Sequence, residues 1–528
     1  MKILCYNISH ESAWMYHDTE TKELYFFSAE REYNTKDATI RETDPIKIAE
    51  MKFGFDKKNP EHILVGWVNY WGTFVDKEKA NIPETKLYKK IKDNVFVIDH
   101  HFAHILSSVA FNNSLNQGIA IDGQGDHKHT GLVVKNIHDL NNLQFNYLPN
   151  DPPIGKLFNI FSADLIKSKY MTTTDELTDR HRAVGKIMGL QAYGKINQSI
   201  YNKLESFEFS LNNLNQFKNY FSEIFSNINV YDENQNFDAV TTLYQFLTNK
   251  IVEIFNNNFK AGDNIAYSGG CALSTVANDK LIKNGYNLTI CPAAGDMGLC
   301  IGMLKFIDLY YNLNIDFSNL KYAYYNDEPN IIIPEKNIKF AAKLLQQNEI
   351  IAFVNGAAEV GPRALGHRSI LMNPSIENGK DFINERVKHR EWWRPFGGST
   401  IDTKIIKNYI PSNLDFFMLR NYEIKDEWQT KLKSICHKDN SCRLQIIEDK
   451  LEPLYQVINE FNNLTGVPVV LNTSFNIAGR PIPNYKKHIM ETFKALDGIK
   501  YLFYNDKIYK KENISKYGGV IDIVEVQL

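Results

Sequence analysis

Short apolar runs alternate along this chain with turns of small and polar residues and with stretches of helical periodicity. NVFVID (94–99) predicts a strand, and HHFAHILSSVAFN after it carries apolar residues at helical spacing. GIAIDGQGD (118–126) reads as a strand ending in an acid and glycines, NIAYSGG (264–270) leads into ALSTVANDKLIK, and NLTICPAAGD (287–296) leads into MGLCIGMLKFIDLY. This alternation predicts an α/β domain, whose ligands gather at the ends of strands. Residues 196–262 are Asn-rich, helical in pattern and without glycine turns, and read as a helical insertion. The polar stretch YNDEPNIIIPEK (325–336) reads as a linker. A second segment follows, with a helix (FAAKLLQQ), a strand (IIAFVN), a Gly/Pro/Arg loop and a later strand (VPVVLN). Two domains, 1–330 and 331–528, are therefore expected.

Composition narrows the class. The 528 residues are 43% hydrophobic and 23% charged, an ordinary globular balance that excludes a disordered or collagen-like chain. With 60 Lys+Arg against 62 Asp+Glu, the formal charge is −2, which gives no support to bulk electrostatic binding of nucleic acid or anionic membrane. No run of about 18 apolar residues is present, so no membrane span is expected. The start, MKILCYNISHESAW, reaches His10 and Glu11 before a signal-peptide core forms. Six cysteines without a CxxC pair read as thiols of a reducing, cytoplasmic compartment.

Candidate chemistry in the first half lies at strand ends. His100 and His104, four apart at the start of a helix, face the same side, a spacing that suits a transition metal. Asp122 ends a strand and Asp296 sits at another strand-to-helix turn. Singly, each is also what a cap or turn uses. Together, two imidazoles and two carboxylates fit iron, manganese or zinc better than magnesium. His10 and His101 are candidate bases, because only histidine titrates near neutrality unperturbed. In YSGGCALS, Gly269 and Gly270 would expose backbone N–H groups to an anion.

The second half is cationic at its loops. EVGPRALGHRSILMNP supplies Arg363, His367, Arg368 and Ser369, and VKHREWWRPFGGS supplies Lys388, Arg390 and Arg394 among aromatics. CRLQ supplies Arg443, and LNTSFNIAGRP supplies Asn472, Ser474, Asn476 and Arg480. Arginine forks with small hydroxyls suit a phosphate-rich ligand. A basic and aromatic nucleic-acid groove is the rival reading. The glycine-rich, compact GPRALGHRS loop favours a small phosphorylated ligand.

DHHFAH, IDGQGD, VGKIMGLQAYG, YSGGCALSTVAN, AAGDMG, EVGPRALGHRSIL, VKHREWWRPF, FMLR, CRLQ and NTSFN occur in the order seen in NodU/CmcH-type carbamoyltransferases, and the chain resembles that family over nearly its whole length. The resemblance implies an O-carbamoyltransferase. Its first domain would be actin/hexokinase-like, similar to the tRNA threonylcarbamoyladenosine transferase, and its second α/β domain similar to threonylcarbamoyl-adenylate synthase. Carbamoyl phosphate and ATP, the latter with Mg2+, would give carbamoyl-adenylate in the second domain. An acceptor hydroxyl would attack that intermediate in the first. By position, His100, His104, Asp122 and Asp296 would hold Fe2+ (or Mn2+ or Zn2+), and His10 would be the base. Lys36 matches a family lysine. Ser274 stands where the family carries an amide that could order the nucleotide. Lys388, Arg394, Arg443 and Ser474 would bind carbamoyl phosphate and ATP with Arg363 and Ser369 beside them, and Met418 would line that pocket. Departures include Glu11 in HESA, Gly397 and Gly398 in RPFGGS, and Arg480 in place of an acid. The abundance of Asn, Ile and Lys points to an AT-rich genome. That adds a hydroxymethyl-pyrimidine nucleotide or DNA base to small molecules and sugars as acceptors, with a homodimer as a candidate assembly.

Overall fold

The computed structural model describes residues 1–8, 11–36, 45–66, 81–126, 129–148, 153–166, 176–207, 214–225, 233–325, 331–512 and 522–528. The chain divides into two compact units, residues 1–23 with 39–317, and residues 24–38 with 318–528. The division thus precedes the boundary expected near 330, and the early segment Leu24–Ala38 belongs with the later half.

The first-unit strands are β1 (Lys2–Asn7), β2 (Ala13–Asp18), β4 (His62–Gly66), β5 (Tyr88–Lys92), β6 (Val95–Ile98), β7 (Gln117–Ile121), β8 (Gly131–Lys135), β9 (Gln144–Tyr147), β10 (Asn264–Ser268) and β11 (Asn287–Ile290), with β3 (Leu24–Ser28) falling in the other unit. One sheet runs β2-β1-β4-β6-β5, with β1, β4 and β6 parallel. The other runs β11-β10-β7-β8-β9, with β7, β10 and β11 parallel. Each sheet supplies one helix to a central pair. His100–Val109 packs on β7 and β10, Leu299–Tyr311 packs on β1 and β2, and the two helices lie against each other. Close approach depends on Gly302, where a Cβ would overlap the Ala103 carbonyl oxygen. The first unit is thus a two-sheet α/β architecture, the fold class that the strand-turn-helix alternation predicts. In the region read as a helical insertion, the described helices are Gln198–Glu205, Leu214–Phe225 and Glu233–Asn258.

The second unit is built on a mixed sheet of β12 (Ile351–Val354), β13 (Arg368–Met372), β14 (Gly397–Thr400), β15 (Asn421–Glu423), β16 (Ser441–Ile446), β17 (Val469–Ser474), β18 (Tyr501–Tyr504), β19 (Lys507–Glu512) and β20 (Asp522–Glu525), in the order β15-β16-β14-β17-β13-β12-β18-β19-β20. Helices Glu335–Gln346 and Pro453–Thr465 pack together, and each buries residues at the helical spacing of an apolar face, Ile338, Ala342 and Leu345 on the first and Leu454, Val457 and Phe461 on the second. The second helix starts with Pro453 and stops at Gly466 in the left-handed region, φ 72°. β3 joins this unit through Phe26, which exchanges backbone hydrogen bonds with Ala323 and Tyr325.

Candidate metal centre and anion pocket

Asp122 follows β7 directly, Asp296 stands in the turn after β11, and His100 and His104 occupy the first turns of the helix after β6. Parallel strands deliver their following turns to one side of a sheet, so Asp122, Gly269 and Asp296 come together from β7, β10 and β11. Asp99 caps the histidine helix by accepting from Phe102 N at 2.9 Å. Asp126 accepts from His100 N at 2.9 Å.

Four ligand atoms converge, all within 4.8 Å of one another. His100 Nε2 and His104 Nε2 lie 3.2 and 3.1 Å from Asp122 Oδ2, and 3.7 and 3.4 Å from Asp296 Oδ1. A metal about 2.1 Å from each ligand would hold neighbouring ligands roughly 3.0–3.4 Å apart, so the set fits a first-row transition ion with little movement. Burial pushes the His104 imidazole towards neutrality, but hydrogen bonds and charge from Asp122 and Asp296 outweigh it and raise the ring to about 9. Asp122 is held well below the carboxylate range: burial opposes this, and the two histidines overcome it.

The glycine turn after β10 serves this site. Gly270 N donates to Asp122 Oδ1 at 3.2 Å, and Gly123 N donates to the same oxygen at 2.7 Å, which leaves Oδ2 for the histidines. A Cβ on Gly270 would stand 3.0 Å from that oxygen. The anion this turn holds is therefore the carboxylate of Asp122. Ser274 accepts from Ala277 N as a helix cap and bonds the Tyr244 hydroxyl at 2.6 Å. His101 is fully buried, with its ring against Gly125, and burial followed by the charge of His100 pushes it well below the usual imidazole range. His10 lies outside the described residues.

Sequence reasoning missed the supports. Asn7 Nδ2 donates to Asp296 O at 2.9 Å, and Met297 N donates to Glu11 Oε2 at 3.3 Å, so the start of the chain holds the turn that presents Asp296. Tyr147 donates to Asp99 Oδ2 at 3.0 Å. Burial first, then Asp126, raises the Asp99 carboxyl to about 7. The signal available in the sequence was only that Asn7 ends the first strand.

In the second unit, register puts the cationic loops over one face of the sheet. Gly397 pairs with Arg443 and with Asn472, and Ser369 pairs with Ser474. Paired residues and their i+2 neighbours share a face, so Ser369, Ser399, Arg443, Gln445, Asn472 and Ser474 all lie on it. Gly397 leaves room on its rung, where a Cβ would stand 3.2 Å from Met418 Sδ and 3.4 Å from Arg443 Nε.

Lys388 Nζ donates to Ser474 O at 2.7 Å, Asn476 O at 3.0 Å and Asn476 Oδ1 at 2.6 Å. Burial pushes Lys388 well down, and Arg390, Lys36 and Arg394 push it further. Burial also lowers Arg363, with Arg443 and Arg394 adding to it. Arg443 is drawn to about 10, mainly by burial and then by Arg394 against an opposing contribution from Cys442. Arg390 stacks 4.2 Å over Phe396 and donates to Asn384 Oδ1 at 2.7 Å. Arg394 has the Glu391 carboxylate 3.7 Å away. Arg363 Nε and Arg443 Nε are buried without a hydrogen-bond partner. Like charges crowd here beyond what Glu391 offsets, an arrangement that suits an anionic ligand.

Two residues read as cationic loop groups do other work. Arg368 is fully buried and donates to the carbonyls of Asn355, Gly356, His367, Pro483 and Asn484. His367 stacks on Tyr322 at 3.7 Å and bonds Ala357 O at 2.6 Å. Arg480 accepts at its carbonyl from Asn476 Nδ2 at 2.6 Å. All six cysteines are free thiols. Among the described residues, no helix is long and apolar enough to cross a membrane.

Residues 68–304 match the carbamoyltransferase N-terminus model, and residues 342–511 match the carbamoyltransferase C-terminus model. An uncharacterized protein of Methanocaldococcus jannaschii is 28% identical over 494 residues, 84% of this chain and 90% of its own. Nodulation protein NolO of Bradyrhizobium diazoefficiens is 27% identical over 440 residues, 76% of this chain and 77% of its own. Among solved structures, component A of the Acidaminococcus fermentans (R)-2-hydroxyglutaryl-CoA dehydratase aligns with a TM-score of 0.35 and 13% identity, over 58% of this chain and 97% of that one. With both halves of the family matched in order across most of its length, the chain belongs to the carbamoyltransferase family and is a carbamoyltransferase enzyme.

Proposed function

We propose that the enzyme forms carbamoyl-adenylate from carbamoyl phosphate and ATP in the second unit and passes the carbamoyl group to an acceptor hydroxyl in the first. The carrying observation is the crowd of Arg363, Lys388, Arg390, Arg394 and Arg443, which burial first pushes down and neighbouring like charges push further at all but Arg394, with Arg363 Nε and Arg443 Nε lacking hydrogen-bond partners. Phosphate oxygens supply the missing negative charge and accept from those forks. In balance, carbamoyl phosphate, ATP and water give carbamoyl-adenylate, pyrophosphate and phosphate. In the transfer step, the hydroxyl oxygen bonds to the carbamoyl carbon, the bond to the phosphate oxygen breaks, AMP leaves, and the hydroxyl proton is released.

In the first unit, His100, His104, Asp122 and Asp296 would hold a transition ion, iron by family resemblance. A metal bound there supplies Lewis acidity to an adenylate phosphate oxygen. Gly123 and Gly270 fix Asp122 for this task, and Asn7 and Glu11 fix the Asp296 turn. His10 is assigned the acceptor proton, from its place in the HESA motif.

The test is a product assay. ATP turnover should release AMP and pyrophosphate only with carbamoyl phosphate present. ADP release without it would refute the scheme. A panel of sugars, nucleosides and hydroxymethylated DNA, scored by mass gain of one carbamoyl group, identifies the acceptor.

A further inference from the structure

The loop carrying Arg363 runs between β12 and β13, and apart from the bond of Val360 N to Lys321 O much of its backbone is met by side chains. Its near flank is held by Arg31, which is 1% exposed and donates to Glu359 O at 2.7 Å and Gly361 O at 2.5 Å. The Glu359 carboxylate in turn accepts from Leu365 N at 2.7 Å and Arg368 N at 3.2 Å.

The far flank rests on three buried side chains of adjacent strands. Gln445 of β16 donates through Nε2 to Leu365 O at 2.9 Å. Ser399 of β14 donates to Gln445 Oε1 at 2.7 Å. Asn472 of β17 donates to Ser399 Oγ at 2.9 Å and to Ala364 O at 3.3 Å. The order of donors is forced. The one hydroxyl proton of Ser399 goes to Gln445 Oε1, so the Gln445 amide must turn its N–H to the loop. Asn472 must likewise present its N–H to the Ser399 oxygen. No chemistry has been assigned to Gln445 or Ser399, and Asn472 spends its donors on this network.

We infer that Gln445, oriented by Ser399 and Asn472, is a positioning residue that holds the Ala364–Leu365 backbone so that the Arg363 guanidinium meets the phosphorylated substrate. The inference rests on the anion-pocket reading above. The carbonyls on both sides of Arg363 are pinned, while its own Nε is left without a partner, which is the arrangement of a charge held ready for a ligand. The Gln445 amide is spent on Leu365 O and Ser399, so its effect passes through Arg363.

The experiment is a double-mutant cycle on the full-length enzyme, with calorimetric titration of carbamoyl phosphate and of ATP. Gln445→Leu keeps the volume and removes the donor; Ser399→Ala removes the orienting proton and leaves the loop contact in place. Each should weaken binding of one phosphorylated substrate roughly tenfold in the native background, and raise its KM with kcat largely kept. In an Arg363→Ala background the same changes should cost less than about twofold. Equal losses in both backgrounds would mark Gln445 as plain packing and overturn the inference, as would unchanged binding in either single variant. A native enzyme that binds neither substrate, or binds them regardless of Arg363→Ala, would instead remove the anion-pocket reading and the positioning role with it.

Discussion

His104 Nε2 stands 3.1 Å from Asp122 Oδ2, and the second oxygen of that aspartate is occupied by two glycine N–H groups. One carboxylate is thereby aimed by the backbone and met by a ring from the other sheet's following helix. His104→Ala should lower metal affinity by more than roughly a hundredfold and abolish carbamoyl transfer. Carbamoyl-phosphate-dependent pyrophosphate release should survive. Metal analysis of the purified variant, paired with the two product assays, checks this; loss of both half-reactions would break the two-site scheme.

Lys388 uses its three N–H donors on Ser474 O, Asn476 O and Asn476 Oδ1, all neutral acceptors in the turn after β17. A buried ammonium held only by neutral groups gains most from an anion. Lys388→Ala should reduce pyrophosphate release by at least about a hundredfold, because charge and turn are lost together. Transfer from carbamoyl-adenylate supplied from outside should continue. An unimpaired first step would take Lys388 out of the pocket.

Gly302 lets the two central helices touch at Ala103, next to the candidate metal ligand His104. Gly302→Ala has no space to relax into, since the obstacle is backbone. Overpacking of this kind costs about 1–3 kcal/mol. A lowered Tm is expected, together with weaker metal binding, as Ala103 carries His104 outward. Calorimetric melting with and without metal reads both, and an unchanged Tm would show that the helices shift freely.

Glu452 in the second unit takes hydrogen bonds from Tyr322 at 3.0 Å and Lys321 at 3.1 Å, with His367 Nε2 at 3.8 Å. Burial works to raise its carboxyl, but His367 and Lys321 prevail and bring it down to about 2. The sign follows from linkage. A depressed carboxylate stabilises the fold above its unfolded pKa and loses that contribution as pH falls through the folded value. The window therefore runs from about pH 4.5 down to about pH 2, and the contribution is at most about 3 kcal/mol. Glu452→Gln should lower stability at neutral pH and flatten the acid limb across that window in urea melts. An identical acid limb in the variant would deny Glu452 this role.

Much of the first unit was legible in the chain. Strand-then-turn-then-helix periodicity located β6, β7, β10 and β11 and the helices after them, because apolar spacing encodes which face is buried. His100 and His104 were readable as a pair because four residues make about one helical turn. Local pattern also marked Asp122 and Asp296 as strand-end acids. Their convergence is decided by which strands lie side by side, and β10 separates β7 from β11 in space although it follows β7 by more than a hundred residues. The use of the Gly269-Gly270 turn on Asp122 is likewise a contact between distant segments.

The second unit shows the same limit. Composition marked its loops as cationic, since charge is a property of residues. It did not separate Arg363, whose Nε is buried without a hydrogen-bond partner, from Arg368, spent on five carbonyls, because that depends on which backbone each guanidinium meets. Nor did it show that Arg31 and Lys36, some three hundred residues earlier, belong with these loops. Residue chemistry and short-range periodicity are local and survive in the sequence alone. Strand order, register and the pairing of distant loops arise from burying one shared core, and only the folded chain decides them.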